Sequence, residues 1–195
     1  MNKGTMTMIS ALFGLLMLTA SCDETVIIDS VEYAVPEQWC GQSLDSILIA
    51  DPTTLVRLPD EFCYADYRIY LDRATRDALV ELAHAARKDS VEIIVDSGYR
   101  SASFQKRIIK RRMAEGESFE RVARFVAPPG YSQHETGRAV DLVPSEVLFL
   151  KTNIYVWMKD HAGRFGFVET YPPDSTSSFR AESWHWYFKG KTDSE

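Results

Sequence analysis

The chain has 195 residues, 45% hydrophobic, 26% charged and 12% aromatic, with 22 Lys and Arg against 28 Asp and Glu. These proportions fit one globular domain with its own core and exclude disorder over most of the length. A formal charge of −6 argues against a nucleic-acid binder, whose surface would be basic overall, so no nucleic-acid partner is expected.

The first 21 residues read as an export signal. Lys3 gives a basic start, Met6 to Ala20 is almost wholly apolar, and the small residues Thr19, Ala20 and Ser21 precede Cys22. The apolar run is short for a transmembrane helix and suits a secretory signal. It also resembles a bacterial lipoprotein signal, which implies a lipid on Cys22 and a membrane anchor at the mature N-terminus. Thr19 departs from that pattern, which usually has Leu there. Plain cleavage after Ala20 or Ser21 is the alternative. Removing residues 1–21 leaves 174 residues and, without Lys3, a formal charge of −7.

Residues 22–35 read as a tether and 36–67 as an irregular N-terminal subregion, interrupted by Pro36, Pro52 and Pro59. With Cys22 taken by lipid, Cys40 and Cys63 are expected to pair in the oxidising envelope, where the loop closure would contribute roughly 3 kcal/mol. Two buried thiols are the alternative. Asp72 to Lys88 predicts a helix with Ala78, Leu79, Leu82, Ala83 and Ala86 on one stripe. Val91 to Val95 predicts a strand, Ser101 caps a helix ending near Gly116, and Ser118 to Val126 adds a short one. Gly137 to Val143 reads as a strand, Thr152 to His161 as a helix, and Phe165 to Thr170 and Trp184 to Phe188 as strands. Mixed elements without regular alternation predict an α+β single domain over 36–190, a central, largely antiparallel sheet flanked by helices, and a tail at 191–195. A monomer is expected.

Two segments carry chemistry: Tyr131 to Asp141 and Glu182 to Trp186. Half of the chain's four histidines fall in them. Asp141 lies in an apolar strand, where an unpaired carboxylate is costly to bury. A metal bound also by His134 would remove that cost, and Gly137 permits the turn that folds His134 back. Two imidazoles and one carboxylate are a donor set for catalytic zinc. Glu182 cannot share the face of His185 in a regular strand, but a bend just before it would aim Glu182 into the site as a general base. On spacing alone, hydrogen-bonded structural histidines and a turn-capping Asp141 explain the pattern about as well.

The set Ser132-x-His134-x-x-Gly137-x-Ala139-x-Asp141 followed by Glu182-x-x-His185 resembles the zinc D-alanyl-D-alanine carboxypeptidases of the VanY type, which share a metal-site fold with VanX dipeptidases and hedgehog domains. Ser97-Gly98-Tyr99-Arg100-Ser101 with Gln105, Pro129-Gly130, Gly166-Phe167 and Tyr171-Pro172 also match. The likeness spans Ser97 to Tyr187. It implies zinc (Zn2+) held by His134, Asp141 and His185, with Glu182 as the catalytic base. Arg100 would polarise the scissile carbonyl or hold a carboxylate, and Ser132 and Gln105 would bind substrate. Trp184 is expected to line the pocket or the core. Ser183 stands where the family often has proline. The implied activity is removal of the terminal D-Ala from peptidoglycan stem peptides in the bacterial envelope. A cell-wall endopeptidase, a D,D-dipeptidase and a non-catalytic peptide-binding module are the alternatives.

The weaker signals read as structural. Lys106, Arg107, Lys110, Arg111 and Arg112 form a solvated basic face or a patch for anionic polymers or lipid headgroups, His84 reads as a surface or packing residue, and His161 reads as structural. Asp174 to Ser178 is a polar loop that could set specificity.

Overall fold

The computed structural model describes residues 22–173 and 180–191. The signal expected at 1–21, the loop expected at Asp174 to Ser178 and residues 192–195 of the expected tail lie outside them.

In chain order the chain forms β1 (Thr25–Ile28), β2 (Val31–Ala34), β3 (Val56–Arg57), β4 (Tyr70–Leu71), α1 (Arg73–Lys88), β5 (Val95–Ser97), α2 (Ala102–Ala114), α3 (Phe119–Ala123), β6 (Ala139–Leu142), α4 (Asn153–His161), β7 (Phe167–Glu169) and β8 (His185–Phe188). Each helix starts where an oxygen-bearing side chain accepts an otherwise unpaired backbone N–H: Asp72 from Thr75, Ser101 from Phe104, Ser118 from Arg121 and Thr152 from Tyr155. On α1 the expected stripe of Ala78, Leu79, Leu82, Ala83 and Ala86 is buried. Among the described residues no helix is long and apolar enough to cross a membrane.

The central sheet runs β5-β6-β8-β7, antiparallel throughout. Its inner residues Val95, Val140, Leu142, Phe167, Trp186 and Phe188 join α1 and α4 in the larger core. The α+β expectation is thereby met, with one shift: the strand predicted at Val91 to Val95 starts at its last residue. Val91 and Ile93 are buried before the ladder begins.

A second core corrects the reading of residues 22–35 as a tether. β1 and β2 form a hairpin whose Val26 and Ile28, with Val35, pack against Trp39, Ile109, Phe119, Val122 and Tyr131. Trp39 Nε1 donates to the Ala123 carbonyl at 2.7 Å, and the Tyr131 hydroxyl donates to the Glu24 carboxylate. Apolar alternation in a short stretch after a signal could not show what would cover it.

The cysteine pairing is corrected as well. Cys40 is bonded to Cys22, with Cα atoms 5.7 Å apart, and Cys63 is a buried free thiol. The hairpin folds Cys22 back beside Cys40. Cys63 instead follows a helical turn that buries it with Leu58 and Phe62 in the larger core, and burial raises its thiol pKa. The bond also uses the Cys22 sulfur to which the lipoprotein reading assigns a lipid.

Of the other histidines, His84 is exposed and His161 half-buried. His84 meets the Phe62 ring edge-on at 5.4 Å, and His161 stacks on Trp157 at 4.5 Å. Of the basic residues on α2, Lys110 pairs with Asp29 and Arg112 with Glu117.

Candidate metal centre

Strand register builds the centre. β6 and β8 are aligned so that Asp141 lies directly opposite His185, which brings Asp141 Oδ1 within 3.0 Å of His185 Nδ1. His134 arrives from a short 3-10 turn, Gln133–Thr136, closed by Gly137 at φ +69°. A side chain at Gly137 would be strained in that left-handed conformation and would press on the Asp72 backbone nitrogen at 3.0 Å. The turn places His134 Nε2 3.2 Å from Asp141 Oδ2. All three residues are buried, and their ligating atoms lie within 4.8 Å of one another.

The donor chemistry of this cluster fits a cation. His134 Nδ1 donates to the Gly98 carbonyl at 2.7 Å, so its Nε2 carries the lone pair of a neutral ring. Gly98 can come this close because a Cβ there would sit 2.6 Å from Ile69 Cγ2 and 2.9 Å from the Tyr70 carbonyl. His134 Nε2 is buried with no hydrogen-bond partner of acceptable geometry among the described residues. Burial and then the Arg100 charge lower the His134 pKa to about 4, against the pull of Asp141. Burial alone would raise the Asp141 pKa, but His134, His185 and Arg100 together hold it well below the usual carboxylate range. A neutral lone pair and a carboxylate therefore face each other without a proton between them. Ligands of a tetrahedral zinc stand roughly 3.3 Å apart when each is about 2.0–2.1 Å from the metal, close to the two separations seen here. His134, Asp141 and His185 would hold zinc and leave a fourth position for water or substrate.

The cleft beside them encloses about 120 Å³ and is lined by Arg100, Gln105, Ser132, Gln133, Tyr171 and Glu182 among others. The bend expected before β8 is present: His185 N donates to the Glu182 carbonyl at 2.8 Å, and the strand begins only at His185. Glu182 is thereby turned out of the ladder into the cleft. Burial raises its pKa, partly opposed by the charges of His185, Arg100 and Arg180. Arg100 reaches 3.6 Å from Asp141 Oδ2 through one terminal nitrogen and keeps a buried Nε unpartnered among the described residues. Gln105 donates from Nε2 to the Ala127 carbonyl at 3.0 Å, which leaves its buried Oε1 unpartnered among the described residues. Ser132 is buried at the same wall.

One expected contact is corrected. Trp184 lies outside the cleft lining and packs, half-buried, against the larger core. Leu142 N donates to its carbonyl at 3.0 Å, which ties Trp184 to the neighbouring strand. Ser183 is buried, and its carbonyl accepts from Trp186 Nε1 at 3.0 Å, so this bend is held without proline.

Sequence reasoning missed Gln133, Arg124, Arg180 and Trp39, all of which line the cleft. Tyr171 entered only as a motif match, yet its ring lies 5.2 Å from that of His185 and its carbonyl accepts the Glu182 N–H at 2.9 Å. Burial, reinforced by Glu182 and Asp141, raises its phenol pKa.

A His-Asp-His cluster beside a cleft glutamate, with Asp141 and His185 on an antiparallel sheet and His134 on the turn before it, is the arrangement of a zinc peptidase. The family model of the VanY D-alanyl-D-alanine carboxypeptidases matches residues 68–191. The chain belongs to that family. Among curated proteins it is 34% identical over 122 residues to a D-alanyl-D-alanine carboxypeptidase of Enterococcus faecalis, covering 57% of this chain and 46% of the relative. A D-alanyl-D-alanine carboxypeptidase of Enterococcus faecium is 27% identical, with 64% and 39% covered. The chain thus spans less than half the length of these relatives. Among solved structures, the LdcB LD-carboxypeptidase superposes with a TM-score of 0.66 at 28% identity, over 86% of this chain and 85% of that one. The vancomycin-resistance D,D-pentapeptidase VanY in complex with Zn(II) gives a TM-score of 0.53 at 28% identity, over 69% and 83%.

Proposed function

We propose that the protein is a zinc-dependent D,D-carboxypeptidase that removes the terminal D-Ala from peptidoglycan stem peptides. The observation that carries this reading is the convergence of His134, Asp141 and His185 with Glu182 and Arg100 on one cleft. Family membership and the solved VanYB complex with D-Ala-D-Ala, 30% identical at a TM-score of 0.51, support it. Zinc, when bound, supplies a Lewis acid that polarises the scissile carbonyl and acidifies water. Glu182 takes the proton of the attacking water and returns it to the leaving amine of D-Ala as the C–N bond breaks. Arg100 donates from its guanidinium terminus to the carbonyl oxygen as negative charge develops there, or to the substrate's terminal carboxylate. Gln105 and Ser132, both on the cleft wall, bind the peptide near its terminus.

A second reading follows from the likeness to LdcB: L,D-carboxypeptidase activity, in which the residue before the scissile bond has the opposite chirality. Purified zinc-loaded protein is incubated separately with a pentapeptide ending in D-Ala-D-Ala and a tetrapeptide ending in a single D-Ala, and products are weighed by mass spectrometry. Loss of one D-Ala from the pentapeptide, abolished by a chelator, is expected. Cleavage of the tetrapeptide alone would establish the second reading, release of a larger fragment an endopeptidase, and no chelator-sensitive cleavage a binding module.

The Cys22–Cys40 bond, which persists in an oxidising compartment, supports export of the protein with residues 1–21 as the signal. One sulfur cannot carry both a disulfide and a lipid thioether. The intact mass of the mature protein distinguishes the two.

A further inference from the structure

We propose that Gln133 is a positioning residue for the ligand His185, setting which ring nitrogen keeps its lone pair for zinc. The inference rests on the zinc reading and extends it to a residue outside the ligand set.

The two ring nitrogens of His185 face different partners. Nδ1 points at Asp141 Oδ1 at 3.0 Å, and Nε2 lies 2.9 Å from Gln133 Oε1. A neutral imidazole has one N–H and one lone pair. The amide oxygen only accepts, so the proton belongs on Nε2 and the lone pair on Nδ1, towards the point where Asp141 and His134 Nε2 converge. Thr170 Oγ1 donates to the same Oε1 at 2.9 Å. One amide oxygen thus takes both contacts.

The opposite tautomer is the competing state. An Nδ1–H donating to Asp141 would close that pair by a hydrogen bond and withdraw both atoms from the metal. His134 is protected from this error by backbone, since the Gly98 carbonyl takes its Nδ1–H. His185 relies on a side chain, so its control can be removed by mutation. Gln133 also begins the turn that carries His134, so one turn supplies one ligand and orients another.

The test is the zinc dissociation constant of the purified protein, by competition with a chromogenic chelator, for wild type, Gln133→Leu and Gln133→Glu. Loss of an outer partner of a ligating histidine typically weakens metal binding about 10–100-fold. Gln133→Leu is expected in that range. Gln133→Glu retains an acceptor facing Nε2–H and is expected within about threefold of wild type. Gln133→Met, unbranched and apolar, serves in place of Leu should that variant fail to fold, and melting of the metal-free proteins checks folding. Wild-type affinity in Gln133→Leu or Gln133→Met overturns the inference. So does a Gln133→Glu variant as weak as Gln133→Leu, since shape rather than acceptance would then matter. A wild-type protein that binds zinc but cleaves neither peptide refutes the proposed activity and leaves this inference standing; one that binds no zinc refutes both.

Discussion

Replacing Glu182 with Gln separates catalysis from metal binding and from folding. The amide keeps the shape of the side chain but cannot take a proton from water. General base catalysis typically contributes 10²–10⁴-fold, so at about 1.4 kcal/mol per tenfold the transition state loses about 3–5 kcal/mol. Glu182 is outside the convergent His134, Asp141 and His185 set, so zinc affinity should stay within about twofold. Stability should not fall, because burial raises the Glu182 pKa, which means that the fold disfavours the charge that Gln removes. The assay is kcat/KM on the pentapeptide at saturating zinc, with a chelator titration and a melting curve on the same preparation. Turnover within tenfold of wild type would refute the base assignment. Loss of zinc would show that Glu182 belongs among the ligands.

Three further outcomes follow from the packing. Gly137→Ala should cost about 1–2 kcal/mol from the left-handed backbone alone and more from the contact with Asp72, and it should weaken zinc by displacing His134; denaturant melts and the chelator titration read both. Tyr131→Phe removes the hydrogen bond to Glu24 and should lower the neutral-pH melting temperature. That bond lowers the Glu24 pKa from 4.5, so its contribution is present above that value and fades as acid protonates the carboxylate. Burial and Glu24 raise the Tyr131 pKa from 10 to about 12, so the same advantage is full below pH 10 and lost as pH climbs through about 12; a constant wild-type-minus-variant difference across both ranges would refute the coupling. Cys40→Ser should destabilise the oxidised protein by up to about 3 kcal/mol through loss of loop closure, and non-reducing peptide mapping should find Cys22 joined to Cys40 with Cys63 alkylatable only after unfolding.

The helices were legible because their signals are local. Asp72, Ser101, Ser118 and Thr152 cap within three residues of themselves, and the stripe on α1 repeats within one turn or two. The candidate ligands were legible through the family motif, since spacing alone left a structural reading equally open, and the bend at Glu182 follows from a strand period that could not otherwise place it. Gln133, Arg124 and Arg180 were not legible, since each is an ordinary polar residue until the fold brings it to the cleft. Trp184 misled for the opposite reason: adjacency to Glu182 and His185 along the chain says nothing of which face a half-turn presents.

Length and composition pointed to one α+β domain, and the family motif singled out His134, Asp141 and His185 as candidate metal donors. The cysteine count set a disulfide problem without solving it. Only the tertiary structure chose Cys22 over Cys63 for Cys40, turned the supposed tether into a hairpin with its own core, and set Asp141 across from His185. The physical reason is common to all three. Which sulfur meets which, what covers an apolar strand and which residues oppose each other in a ladder depend on contacts between distant segments, and sequence spacing carries no measure of that distance.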